Sequence, residues 1–80
     1  MDHSLLAIIA RFPDRARAIK ELAAVDEGFY SLCTDLGDAE AALSGWERSQ
    51  APVRDERCHE YRELVAALAD EVRAALESRG

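Results

Sequence analysis

Two stretches of this chain repeat apolar residues at the same spacing, and that repetition constrains the fold more than any other feature. In the first, Phe29, Leu32, Leu36, Ala39, Leu43 and Trp46 follow at steps of 3, 4, 3, 4 and 3. In the second, Cys58, Tyr61, Val65, Leu68, Val72 and Ala75 repeat those steps. Such spacing draws one seam along a helix, and the seam leaves water only by packing lengthwise against another helix. Ser49, Gln50, Ala51 and Pro52 separate the two seams with polar residues and a proline that opposes helix at Ala51. The pattern predicts an antiparallel helical hairpin, coiled-coil-like, with arms over about 26–50 and 53–79. A turn centred near Ala51 and Pro52 sets Leu43 opposite Tyr61, Leu36 opposite Leu68, and Phe29 opposite Ala75 or Leu76. Every one of those pairs is apolar. Arms of ~25 residues would be ~37 Å long.

Local signals agree with the arms. Asp26 is a good N-cap and Glu27 suits the first turn of the first arm. Gly37 costs ~1 kcal/mol relative to Ala inside a helix. Yet the seam keeps its phase across Gly37, which favours one continuous helix. In the second arm Leu64 and Leu76 widen the stripe. Glu60, Glu63, Asp70, Glu71 and Glu77 fall mostly off it with Arg62, Arg73 and Arg79, where helical ion pairs are each weak.

Ahead of the hairpin, a further helical segment covers about 4–25. Leu5, Ile9, Phe12, Ala16, Ile19 and Ala23 mark one face, and Asp2 or Ser4 is available as a cap. Pro13 either kinks this segment or divides it, because the residue before a proline avoids helical geometry. The expected whole is a single all-α domain over residues 1–80. Its 15 alanines and five aromatic residues favour helix over strand. A chain of 80 residues has a thin core, so association with a second apolar surface is expected to add stability.

The stretch Phe12-Pro13-Asp14, followed by Ile19, Leu22, Phe29, Ser31 and Leu32, resembles the YdcH-like family of small uncharacterised bacterial proteins. Members share a Phe-Pro-acidic start, that spacing to Ile and Leu, and a Phe-x-x-Leu opening the next helix. The match spans about residues 12–36 without a gap. The chain departs from the family at Arg15, where an aromatic residue is common, and in its wealth of Ala and Arg. The resemblance implies a helical hairpin in a short cytosolic bacterial protein. It implies no activity, since the family has no established catalytic residues to carry over.

Charge narrows the choice of partners. The net charge is −6, which opposes binding to the phosphate backbone of nucleic acid. Residues 26–50 carry one basic and six acidic groups, while Arg11, Arg15, Arg17 and Lys20 form the one locally basic stretch. Residues 1–10 lack the basic start of a secretory signal, and nothing approaches the ~20 apolar residues of a membrane span. A cytoplasmic location is therefore expected.

No constellation of side chains points to catalysis, a metal or a cofactor. Opposed in the hairpin, Cys33 and Cys58 would lie about 18 Å apart along its axis, too far for a disulfide, so both read as small buried hydrophobes. Cys58, His59 and Glu60 are consecutive, and adjacent helical side chains diverge by about 100°. The pairs Glu56 with Glu60 and Glu60 with Glu63 lack the Glu-x-x-His pattern of metal-binding bundles and read as a solvated face. His3 adds no ligand spacing. What remains is surface. Leu5, Leu6, Ile8, Ile9 and Phe12 are apolar around much of a short helix, and Trp46 stands near the hairpin tip. These six are the candidate interaction surface, for a second copy of the chain or another protein. The reading is a non-enzymatic interaction or self-associating helical module. The alternative is a peripheral membrane protein that uses the amphipathic first segment.

Overall fold

The protein is described by a computed structural model over residues 3–78. Four α-helices run in order: α1 (His3–Arg11), α2 (Ala16–Val25), α3 (Glu27–Glu47) and α4 (Arg54–Ser78). No strand occurs among the described residues. The long pair, α3 and α4, forms the expected hairpin, and α1 and α2 lie on α3. An extent of 44 Å by 23 and 22 Å reflects that design, since the 25 residues of α4 alone span about 37 Å.

Each junction has a local cause. Phe12 adopts φ −126° and ψ 65°, outside helical space, as its place before Pro13 demands. Pro13–Arg15 then forms a 3-10 turn before α2. Pro13 therefore divides the first segment instead of kinking it. The cap expected from Asp2 or Ser4 lies outside the described side chains. Asp26 alone separates α2 from α3, with extended backbone. Its N–H donates to the Leu22 carbonyl at 2.9 Å, and its Oδ1 accepts from the Phe29 N–H at 3.0 Å. The one residue thus closes α2 and caps α3. A Cβ built on Gly28 would stand 3.3 Å from that same Oδ1, so glycine leaves the capping carboxylate room. α3 runs unbroken through Gly37. At the tip, Arg54 Nε and Nη2 donate to the Glu47 carbonyl at 3.2 and 3.0 Å. The first residue of α4 thereby satisfies the end of α3 and favours its negative dipole end.

A single cluster fills the interior, drawn from all four helices. Ile8, Ile19, Leu36, Val72 and Cys33 are fully enclosed, and Leu22, Phe29, Ala39, Val65, Ala69 and Leu76 complete it. Burying a side chain such as Leu36 stabilises the fold by about 1.5–3 kcal/mol. The buried set departs from the seams in one consistent direction. Ala69 and Leu76 of α4 and Cys33 of α3 are deep, while Leu32, Leu43, Leu68 and Ala75 are only partly covered. Leu64, expected to widen the buried stripe, is 44 % exposed. The cause is asymmetric cover. α1 and α2 occupy one side of the hairpin, and burial rotates toward them. Arg11 crosses to Glu40 of α3 at 2.8 Å, and Arg15 Nη2 donates to the Leu76 carbonyl of α4 at 3.0 Å. Both tie the first segment to that side.

Candidate functional site

The side of the hairpin away from α1 and α2 carries an open groove. α3 contributes Asp35, Asp38, Ala39 and Ala42, and α4 contributes Tyr61, Leu64 and Leu68, around a cleft of about 500 Å³. A second cleft of about 330 Å³ continues toward the hairpin tip between Trp46, Arg57, Glu60, Tyr61 and Leu64. Tyr61 and Leu64 line both, so the two form one furrow along the hairpin. Helix periodicity builds it. Residues 35, 38 and 42 lie one step around α3 from the seam, and on α4 Leu64 lies one step from the seam residues Tyr61 and Leu68. Alanines at 39 and 42 keep the α3 wall low, while Trp46 and Tyr61 give the tip an aromatic lining.

The groove is apolar at its floor and acidic at its rim. Asp35, Asp38 and Glu60 supply three carboxylates against one guanidinium, that of Arg57. Arg57 already pairs with Glu60 at 3.0 Å. The rim on the α3 side is therefore the acidic one.

Of the six residues chosen from sequence, four are gathered at the core and are not a free surface. Ile8 is wholly inside the core, and Leu5, Ile9 and Phe12 are partly buried against it. Leu6 is 48 % exposed on the outside of α1. Trp46 is half-buried in the groove near the hairpin tip, whose lining there contains no residue of α1. Sequence reasoning missed Asp35, Asp38, Ala42 and Leu64 as a surface. The signal available was Leu64, an apolar residue at steps of 3 and 4 from the seam residues Tyr61 and Leu68, which widens the α4 stripe on one flank.

The residues weighed for chemistry are dispersed. Cys33 and Cys58 are both buried free thiols. Burial pushes the Cys33 thiol up from 9.0 to about 11, which keeps it protonated and unreactive at neutral pH. Cys58 is buried while His59 and Glu60 are exposed. His59 Nε2 faces Glu63 at 3.2 Å, and Glu60 faces Arg57. Among the described residues, no three of His, Cys, Asp and Glu are grouped so as to hold a metal ion. Among the same residues, no helix is long and apolar enough to cross a membrane. A further cleft of about 550 Å³ lies between α2 and the end of α4. Both of its arginines are engaged, Arg17 with Glu21 at 3.1 Å and Arg15 with the Leu76 carbonyl.

Comparison of the chain with family models, with curated proteins and with solved structures gives no match.

Proposed function

We propose that this chain is a non-catalytic interaction module whose hairpin offers the α3–α4 groove to a partner. The observation that carries this reading is the one-sided cover of the hairpin. Two short helices enclose one flank of the seam, and the other flank leaves Leu64 44 % exposed between aromatic and alanine neighbours. Leu64 is the one exposed large apolar side chain of the groove, with half-buried Tyr61, Leu68 and Trp46 beside it, and an apolar furrow between polar rims is a surface that a partner can cover. Aromatic residues such as Trp46 and Tyr61 supply large contact area at small entropic cost. The same packing argues against the alternative of a membrane-surface first segment, because Ile8 and much of its apolar face are spent inside the chain.

In-cell photo-crosslinking tests the reading. A benzophenone amino acid replaces Leu64 in the groove and, as a control, Ala66 on the exposed outer face of α4. Discrete adducts from position 64 and none from position 66 are expected. Equal diffuse labelling from both positions, or no adduct from either, would sink the proposal.

A further inference from the structure

We infer that the occupant of the α3–α4 groove is an amphipathic helix from another protein, apolar on one face and flanked by Lys or Arg. This deepens the reading above and rests on it.

The shape fits a helix. The furrow runs between two helices, and its floor of Ala39, Ala42, Leu64 and Leu68 has the low relief into which a third helix packs its ridges. A partner of this kind docks by apolar anchors at helical spacing. It would supply the flank that α1 and α2 leave open, and the hairpin would then be covered on both sides.

The charge selects the sequence of that helix. In the lining Glu60 is paired with Arg57, and Asp35 and Asp38 of α3 remain as its two unbalanced charges. Basic flanks meet those carboxylates, whereas acidic flanks meet like charge. A second copy is the natural competitor for the groove and is the poorer fit. Facing two grooves together brings up the like charge of two chains of net charge −6. Three of the four basic residues of the locally basic stretch, all but the exposed Lys20, make contacts within the chain. Arg11 is held by Glu40, Arg15 by the Leu76 carbonyl and Arg17 by Glu21.

The test uses the full chain and two designed peptides of about five helical turns. Both present the same leucine face; one has lysine flanks and the other glutamate flanks. Binding is read from the emission of Trp46, the single tryptophan, which lines the groove. At about 20 mM salt the lysine peptide is expected to bind at least about tenfold more tightly, and at about 300 mM salt the gap is expected to shrink. The triple variant Asp35→Asn, Asp38→Asn, Glu60→Gln should abolish the preference, and Leu64→Gln should weaken both peptides. Equal binding of the two peptides, binding of neither, or a preference that survives the triple variant overturns the inference. Crosslinking at position 64 separates the two levels of failure. An adduct with a second copy, or with an acidic segment, overturns this inference and leaves the interaction module standing. Lysine-peptide binding without any cellular adduct refutes the module itself.

Discussion

Ile8 is the position at which the role of the first helix is decided. Its side chain is fully enclosed, in a helix of only nine residues that is too short to persist alone in water. Truncating it to alanine removes three buried carbons and leaves a cavity. The transfer and cavity terms together cost about 2–5 kcal/mol for such a site, and about 3 is a fair central figure. For 80 residues the whole stability is about 4–12 kcal/mol, so the loss is a large share. Leu6, two residues earlier and 48 % exposed, supplies the control, and Leu6→Ala should cost less than about 1 kcal/mol. The assay is guanidinium unfolding followed by circular dichroism. With a slope of about 2 kcal/mol per molar, Ile8→Ala lowers the midpoint by about 1.5 M and Leu6→Ala by less than about 0.5 M. Equal shifts, or an Ile8→Ala shift below about 0.5 M, would refute the docking of α1 through Ile8. They would return the apolar surface of the first segment to the set of free interaction faces.

Burial and backbone carry two more consequences. Gly45 sits within α3, and a methyl group added there would meet nothing within 4 Å, so Gly45→Ala should raise stability by about 0.5–1 kcal/mol in the same unfolding assay. The Cys33 thiol, raised by burial to about 11, ionises in the unfolded chain near 9.0 before it does in the folded one. Its stabilisation is therefore complete below pH 9 and falls as pH climbs toward 11, since the unfolded state there binds fewer protons. Cys33→Ala should flatten that part of the stability profile, and native protein should react with a thiol reagent far more slowly than unfolded protein.

Much of this architecture was legible in the residues because its determinants are local. The 3-4 alternation from Phe29 to Trp46 and from Cys58 to Ala75 requires two helices facing each other along their length. Asp26 has the side chain to cap α3, and its carboxylate does accept the Phe29 N–H. The seam that keeps its phase across Gly37 belongs to an unbroken α3, and the two cysteines are buried and unpaired as their positions on or beside the seams required.

The tertiary structure decided what periodicity leaves open. A seam between two helices has two flanks, and both look alike in sequence. Which flank α1 and α2 cover depends on the backbone angles at Phe12 and Asp26, and on long-range ties such as Arg11 to Glu40 and Arg15 to Leu76. That choice enclosed Ile8 instead of centring burial on Leu5 and Ile9. It drew Ala69 and Leu76 inward, and it left Leu64 beside Tyr61 in an open groove. The sequence determined that apolar stripes must be covered; only the packing of the two short helices against the hairpin determined which one was not.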